Sequence, residues 1–226
     1  MTVLITPHIS IIMLAYNAAD TIIEAMQGAL SQTIACEIIV SDDASLDDTF
    51  TIASNYAASY KGIHTLTIRR NAANFGLTKH FNTVLELSSG SVIVFMAGDD
   101  ISYPQRVAEI DQEFQNNADV FVVGSGWDEV DMQNQLIRHK KPNLPSKFSL
   151  QYLAKSGRMA TLVGATMAIR CEVYRTFGPI QGMVEDNVMT LRGALLGGGS
   201  CLDGHLVRYR QNPNSLGKWL FARGDT

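Results

Sequence analysis

Three pairs of adjacent acids are the residues of this sequence best suited to chemistry. They are Asp42-Asp43, Asp99-Asp100 and Glu185-Asp186. Two neighbouring carboxylates repel each other unless a cation or hydrogen-bond donors compensate their charge. Such hard oxygen ligands suit Mg²⁺ or Mn²⁺, usually with substrate phosphates completing the shell. A positioned carboxylate can also take a proton from an attacking hydroxyl.

Each acidic pair also has an ordinary structural explanation. The first pair opens an Asp/Ser-rich turn that leads into a helix. The second pair suits a turn, or the cap of the helix that follows Pro104. The third pair stands in the first turn of a predicted helix, where the helix dipole favours acids. No pair establishes a functional site alone, so the arrangement of all three decides the interpretation.

The elements that must position these acids alternate between strands and helices. Asp20 and Asp47 are candidate helix caps, and Pro104 suits the first turn of a further helix. Strands separated by helices of this length predict right-handed crossovers and a mostly parallel central sheet flanked by helices. The predicted strands of this half are His8–Leu14, Cys36–Ser41, Ile63–Ile68, Ser91–Met96 and Val120–Ser125.

The second half of the sequence is less regular. Pro142 and Pro145 punctuate a loop-rich stretch from about residue 140 to residue 158. No linker divides the sequence, which predicts one α/β domain over residues 1–226 with an irregular second half. The elements predicted after the loops are a strand at Leu162–Ile169, a helix at Val184–Leu196 and a strand at Leu206–Arg210.

Polar residues follow the first four predicted strands directly. In open α/β sheets, ligands bind outside the carboxyl ends of the strands. We therefore expect these four loops to line one crevice. In strand order, the polar residues are Tyr16 and Asn17, Asp42 and Asp43, Asn74 and Gly76, and Asp99 and Asp100.

Taken together, these stretches resemble the family 2 glycosyltransferases of the GT-A fold. The resemblance runs from about Ile9 to Ser215, and its motifs occur in the family's order. The matching stretches are Ile11–Ala18, Ile39–Ser45, Asn74–Gly76 with Asn82, Phe95–Asp100, Gly164–Arg170 with Phe177-Gly178, Glu185-Asp186 with Leu191-Arg192, and Tyr209–Ser215.

The resemblance implies an inverting transfer from a nucleoside diphosphate sugar, with UDP as the expected nucleotide and dTDP and GDP as alternatives. The implied acceptor is a hydroxyl of a saccharide or lipid-linked saccharide, in surface polysaccharide or glycolipid synthesis. Residues 1–98 would then form the nucleotide-binding half, and residues 99–226 the metal, acceptor and base half.

The resemblance also implies roles for single residues. Asp186 is the expected general base, and Glu185 is expected to orient it or to bind the acceptor. The expected ligands of Mn²⁺ or Mg²⁺ are Asp99, Asp100 and Asn212. The expected donor-nucleotide residues are Ala15, Tyr16, Asn17, Asp43, Asn74, Gly76 and Gly98.

Two positions depart from the family pattern. Ala97 stands where the family often has the first acid of its metal motif, and Asn212 stands where it often has histidine. An amide oxygen is a poorer ligand for Mn²⁺ than imidazole, so both changes bear on metal affinity rather than on the fold. They keep open the alternative of a catalytically impaired member that acts as a nucleotide- or carbohydrate-binding scaffold.

Composition and missing motifs argue against other classes. A formal net charge of −4 disfavours broad nucleic-acid binding. The stretch Ala15–Ala19 lacks the Gly-x-Gly-x-x-Gly motif of a dinucleotide-binding oxidoreductase. A receiver-like domain would leave Glu185-Asp186 unexplained. No secretory signal is visible and the three cysteines are expected to be reduced, which favours the cytoplasm. Peripheral contact with the inner face of the membrane is an additional expectation.

Other residues that attract attention have simpler interpretations. Trp127 and Trp219 are expected to pack rather than to stack on a sugar. His139 and His205 have no neighbouring ligand pattern in the sequence, which predicts no function for them. The basic run Arg138–Lys141 is expected to be a solvated loop, with an anionic lipid surface or a lipid diphosphate acceptor as the alternative partner.

Overall fold

A computed structural model describes residues 8–156, 160–182 and 185–212 of the 226-residue chain. Within those residues the strands are β1 (Ile9–Ala15), β2 (Glu37–Asp42), β3 (Thr65–Arg70), β4 (Val92–Ala97), β5 (Ile101–Ser102), β6 (Val120–Val130), β7 (Leu136–Lys140), β8 (Lys147–Phe148), β9 (Ala168–Arg170) and β10 (Gly198–Arg210). The helices are α1 (Ile22–Leu30), α2 (Thr49–Ala58), α3 (Leu77–Leu87), α4 (Arg106–Asn116), α5 (Leu150–Ser156), α6 (Cys171–Phe177) and α7 (Glu185–Leu196).

The strands form one continuous sheet in the order β3-β2-β1-β4-β9-β6-β10-β5. Strands β3, β2, β1 and β4 are parallel to one another, as the alternating pattern predicts. β1 reads as a nearly unbroken apolar run because helices cover both faces of the sheet. Its residues Ile11 and Met13 pack in the same core as α1, whereas Ile12 packs in the core that contains Phe81 of α3.

The second half of the sheet is mixed rather than parallel. β9 lies antiparallel between β4 and β6, while β10 runs parallel to β6. The prediction of a strand at Leu162–Ile169 is wrong for most of its length, because Gly164–Thr166 forms a 3₁₀ turn. Thr166 N–H donates to the carbonyl of Val163, so the chain bends before the short strand β9 begins.

Several predicted boundaries also need correction. The last strand begins at Gly198 rather than at Leu206, and β6 continues five residues beyond Ser125. The residue before α1 is Thr21, not Asp20. Asp47 does accept a hydrogen bond from the N–H of Thr49, although Asp48 is the residue that directly precedes α2. These differences lie at element ends. The structure also contains elements that the sequence does not predict, namely β5, β7, β8, α5 and α6.

The basic run lies on an edge strand and not in a loop. Arg138, His139 and Lys140 belong to β7, which pairs with β6 and leaves its side chains largely exposed. Within the described part of the chain, none of the helices is long and apolar enough to cross a bilayer.

Candidate active site

Asp43 organises the loops that follow β2 and β3. Its carboxylate accepts hydrogen bonds from Asn71 Nδ2 at 2.6 Å and from the N–H groups of Phe75 and Gly76, both at 2.9 Å. Gly76 takes a φ of +74°, a backbone conformation that glycine adopts without strain. Asn74 Oδ1 also accepts the Gly76 N–H at 2.9 Å. Three of the predicted donor-binding residues therefore share one hydrogen-bond network.

The ends of β1 and β4 meet beside this network. The Asp43 N–H donates to the carbonyl of Ala15 at 2.9 Å. Gly98 lies so close to Ala15 that an added Cβ would stand 2.9 Å from the Ala15 Cβ, so only glycine fits. Asn17 joins the loop after β1 to the loop after β2, because its Oδ1 accepts the Leu46 N–H at 2.9 Å. Tyr16 is 45% exposed beside them.

The predicted metal residues lie where β4 ends against the end of β10. A side-chain hydrogen bond joins Asn212 to Asp99. Asp100 is buried, and its Oδ1 accepts the Arg210 N–H at 2.9 Å. The Arg210 Nε donates to the Asp99 carbonyl at 2.9 Å, and the guanidinium also pairs with Glu24. Arg210, which the sequence does not single out, therefore fixes the backbone that carries both acids.

Burial disfavours the charged forms of both metal-motif acids. It raises the pKa of Asp99, against the hydrogen bond from Asn212 and the nearby Arg210 charge. It raises the pKa of Asp100 well above the usual carboxyl value, and the neighbouring Asp99 charge adds to the effect. A divalent cation beside these oxygens would relieve that penalty, which is how the residues present fit such an ion.

A fully buried arginine connects this corner to the turn before β9. Arg106 donates to the Phe95 carbonyl of β4 at 2.9 Å and to the Ala165 carbonyl at 2.8 Å. Burial lowers its pKa to about 10, and the charge of Asp100 opposes that shift. The sequence offers a weak signal for this residue, since Arg106 stands on the same helix face as Val107 and Ile110.

Glu185 and Asp186 begin α7, on the other side of that turn. The Gly164 N–H donates to the Asp186 carboxylate, and the Asn187 N–H donates to its Oδ1 at 2.8 Å. Burial raises the pKa of Asp186 despite these donors. Burial also raises the pKa of Glu185, and the adjacent Asp186 charge adds to it. A carboxylate with a raised pKa is a typical general base or acid.

Hydrogen bonds and one electrostatic interaction therefore link the predicted base to the predicted metal motif. Asp186 contacts Gly164, the next residue Ala165 is bonded to Arg106, and Arg106 interacts with Asp100. The structure brings the predicted donor residues into one network and the predicted metal and base residues into a second. The Ala15–Gly98 contact joins the two networks.

Two other predictions have different outcomes. Trp127 is buried, as expected for a packing residue, and Trp219 lies outside the described residues. The sequence predicts no function for His139 and His205, and that stays a prediction, but the fold gives both a neighbour that the sequence pattern does not show. Both imidazoles contact Asp128, at 2.7 Å and 3.0 Å. The sequence does not reveal this cluster, because Asp128, His139 and His205 lie on three different strands.

The sheet is an open α/β sheet with acids at the carboxyl ends of its strands, which is where such sheets bind ligands. Residues 10–178 match the family model of glycosyl transferase family 2. The chain therefore belongs to glycosyl transferase family 2, a class of transferase enzymes, as the motifs predict.

Curated relatives carry names consistent with this family. The putative glycosyltransferase EpsE of Bacillus subtilis (strain 168) is 32% identical over 174 residues, which are 75% of this chain and 59% of EpsE. The UDP-Glc:alpha-D-GlcNAc-diphosphoundecaprenol beta-1,3-glucosyltransferase WfaP of Escherichia coli is 38% identical over 93 residues, which are 41% of this chain and 35% of WfaP. The chain thus spans less than two thirds of the length of either relative.

Solved structures confirm the predicted GT-A-like fold. S. aureus TarS 1-349 in complex with UDP-GlcNAc superposes with a TM-score of 0.72 at 18% identity, over 92% of this chain and 59% of that chain. The mannosyltransferase PcManGT from Pyrobaculum calidifontis, in complex with GDP-Man and Mn²⁺, superposes with a TM-score of 0.67 at 18% identity, over 94% of this chain and 59% of that chain.

Proposed function

We propose that this chain transfers a sugar from a nucleoside diphosphate sugar to an acceptor hydroxyl, with inversion at the anomeric carbon. The observation that supports it most is the link from Asp186 to the metal motif through Gly164 and Arg106. It connects a carboxylate with a raised pKa to the acids proposed to serve the diphosphate. Direct displacement needs those two groups close to the same reacting carbon.

In this mechanism Asp186 takes the proton of the attacking hydroxyl. The Gly164 and Asn187 N–H groups hold its carboxylate in one orientation, so that a free lone pair can accept the proton. Burial raises its pKa, which strengthens it as a base relative to an exposed aspartate. Glu185, the next residue, orients Asp186 or holds the acceptor.

The donor nucleotide is proposed to lie against the Asp43 network. Asp43 is held rigidly by three donors, so a base N–H that meets its remaining lone pair finds a fixed acceptor. Tyr16 is partly exposed beside it and offers a ring face. UDP is the proposed nucleotide, supported by the UDP-GlcNAc complex of TarS, although PcManGT binds GDP-Man.

Asp99, Asp100 and Asn212 are the residues proposed to hold Mn²⁺ or Mg²⁺. The Asp99–Asn212 contact supplies two oxygen-bearing side chains at one point, and oxygen ligands suit these ions. When bound, the ion would neutralise the charge that develops on the leaving diphosphate. Arg210 keeps the Asp99 backbone in place through its carbonyl.

A saccharide or lipid-linked saccharide is the proposed acceptor, in surface polysaccharide or glycolipid synthesis. The relative WfaP, whose name describes glucosyl transfer to a diphosphoundecaprenol-linked GlcNAc, supports this class. The three cysteines are free, which supports a reducing compartment such as the cytoplasm. The exposed basic strand β7 suits peripheral contact with an anionic membrane face.

The test is a donor screen with UDP-, dTDP- and GDP-sugars that measures nucleotide release with a mixed saccharide acceptor. Asp186→Asn should lower kcat by about 10²–10⁴-fold, as losses of a general base do. The matched control is Asp203→Asn, because Asp203 is fully exposed on β10 and pairs with Lys141 only at the surface. The control should retain the wild-type rate.

Nucleotide binding separates this proposal from the impaired-scaffold alternative. Isothermal titration should show UDP binding that Mn²⁺ strengthens in wild type and in Asp186→Asn, and that Mn²⁺ no longer strengthens in Asp99→Asn. Metal-dependent binding with no turnover for any donor would favour the scaffold. Wild-type transfer rates in Asp186→Asn would show that another group is the base.

A further inference from the structure

A second group of ligand-forming side chains lies on three strands, outside the residues proposed for the donor and the base. Asp128 Oδ1 is 2.7 Å from His139 Nδ1 and 3.0 Å from His205 Nδ1. The two imidazole rings stack with their centroids 4.9 Å apart. Among the described residues, one ligand atom from each of these three side chains lies within 4.8 Å of the other two.

The sheet itself builds this cluster. Asp128 of β6 stands directly opposite His139 of β7 in the antiparallel register. His205 of β10 lies beside Gly126 of β6, at an irregularity in the parallel register. A Cβ added to Gly126 would lie 2.4 Å from the His205 Cδ2, so glycine at this position leaves the room that the imidazole occupies.

A second layer of hydrogen bonds orients the carboxylate. The Tyr103 hydroxyl donates to Asp128 Oδ2 at 2.6 Å, and Arg208 Nε donates to the Tyr103 oxygen at 3.2 Å. Oδ2 is thereby engaged, and Oδ1 is turned toward both imidazoles. Carboxylates that ligate metals are commonly fixed by outer hydrogen bonds of this kind.

We propose that Asp128, His139 and His205 bind one Zn²⁺ ion, which fastens the edge strand β7 to β6 and β10. Two imidazoles and a carboxylate form a common zinc set, with water at the fourth tetrahedral position. The 61% exposure of the His139 side chain gives that water access. Imidazole favours Zn²⁺ over Mg²⁺ or Mn²⁺, so this site differs in chemistry from the oxygen ligands around Asp99.

The geometry needs little adjustment to accept the ion. Ligand atoms around a tetrahedral zinc are about 3.3 Å apart, given bond lengths near 2.0–2.1 Å. The two N–O distances of 2.7 Å and 3.0 Å must therefore widen by less than an ångström. Each imidazole would offer its Nδ1 lone pair and carry its proton on Nε2, so the ion replaces two hydrogen bonds to Asp128.

The test uses the full chain, freed of any polyhistidine tag and stripped of metal with a chelator. Titration with ZnCl₂ should show one equivalent bound and a rise in Tm. His139→Gln and His205→Gln should each lower the affinity at least tenfold, because the amide still reaches Asp128 but is a poor zinc ligand. Tyr103→Phe should weaken binding about 10–100-fold, as outer-shell losses do.

Two controls locate the ion. His8→Gln changes an exposed histidine that pairs with Asp111, and it should leave zinc affinity unchanged. Asp99→Asn should also leave it unchanged, because the proposed site does not involve that acid. Full-affinity binding by His139→Gln, or loss of the bound equivalent in Asp99→Asn, would overturn the assignment. So would a wild-type chain that binds no zinc.

A measurement on the unmodified chain covers the case in which a variant fails to fold. Diethylpyrocarbonate modifies accessible imidazoles, and mass spectrometry maps the modified residues. Zn²⁺ should protect His139 and His205 and leave His8 reactive. Equal modification of all three residues with and without Zn²⁺ would contradict the proposal, independently of whether the transferase proposal holds.

Discussion

The acids of two regions of the molecule are stabilised in different ways. The donor side consists of the loops around Asp43, and the base side consists of Asp99-Asp100 and the start of α7. On the donor side, Asp43 accepts three hydrogen bonds from the chain itself, and Asp42 accepts the Ser45 N–H and pairs with Arg70. On the other side, burial raises the pKa of four acids. They are Asp99, Asp100, Glu185 and Asp186.

In the proposed function, this difference separates acids that would serve as fixed hydrogen-bond acceptors from acids that a bound ligand would stabilise. A carboxylate that already accepts hydrogen bonds from the protein is a rigid acceptor, and its position changes little when a ligand binds. A carboxylate whose charge burial disfavours is stabilised by a cation or a proton. In the proposed function the donor side would therefore be preorganised, whereas a metal ion or a transferred proton would relieve the unfavourable charge on the base side.

The largest expected effect is on stability, at Arg106, which bonds β4 to the turn before β9. Arg106→Met leaves the Ser102 hydroxyl and the Phe95 and Ala165 carbonyls without their donor, and it removes a positive charge near the buried Asp100. Each buried acceptor left without a donor costs about 1–3 kcal/mol. Denaturant unfolding measures the loss, and Arg175→Met on the exposed face of α6 is the control. Similar stability in the two variants would show that the hydrogen bonds of Arg106 do not stabilise this part of the fold.

The sequence predicts the donor side well because its signals are local. Apolar runs, helical spacing and the polar residues after each strand give β1 to β4 with only small boundary errors. Asp43, Asn74 and Gly76 follow their strands within a few residues, so parallel pairing brings them together. The family motifs of this half also lie on these loops.

The base side depends on contacts that are distant in sequence. β9 inserts antiparallel between β4 and β6, and its 3₁₀ turn has no periodic signal. Arg210 reaches Glu24 across 186 residues, and the Asp128 cluster draws on three strands. Single-sequence patterns report local preference, so they cannot reveal partners that only the sheet register brings together.

The next effect in size tests the preorganised acceptor. Asp43→Ala leaves Asn71 and the N–H groups of Phe75 and Gly76 without their acceptor, which should cost about 1–3 kcal/mol of unfolding free energy. UDP affinity should fall as well, because the Gly76 loop loses its anchor. Asp48→Ala is the control, since Asp48 is exposed and makes no side-chain cap. Equal loss in both variants would contradict a special role for Asp43.

The pH dependence of kcat tests the base side. Burial raises the pKa of Asp186, and the base must be deprotonated to act, so kcat should rise with pH through a pKa above that of an ordinary aspartate. Below that pKa the rate should fall by about tenfold per pH unit, or roughly 1.4 kcal/mol. Initial rates at saturating donor measure it, with Asp203→Asn as the control. An acid limb at or below the ordinary carboxyl pKa would contradict the burial argument.

The same shift has a consequence of opposite sign for stability. A folded-state pKa above the unfolded value means that the folded chain binds more protons between those two values. Stability contributed by protonated Asp186 is therefore present in acid and is lost as the pH rises through the folded pKa. Activity and stability should move in opposite directions across this window, which a comparison of kcat and unfolding free energy at matched pH can show.

The smallest expected effect concerns the ion pair between α1 and β10. Glu24 accepts from Arg210 and from Asn134, but its side chain is 45% exposed, and such pairs contribute roughly 0–1 kcal/mol. Glu24→Gln keeps an acceptor oxygen, and Arg210 keeps its bonds to the Asp99 and Met132 carbonyls. Denaturant unfolding should therefore show a loss below about 1 kcal/mol. A loss near the 3–5 kcal/mol typical of broken buried pairs would mean that this half-exposed ion pair stabilises the fold as strongly as a buried one.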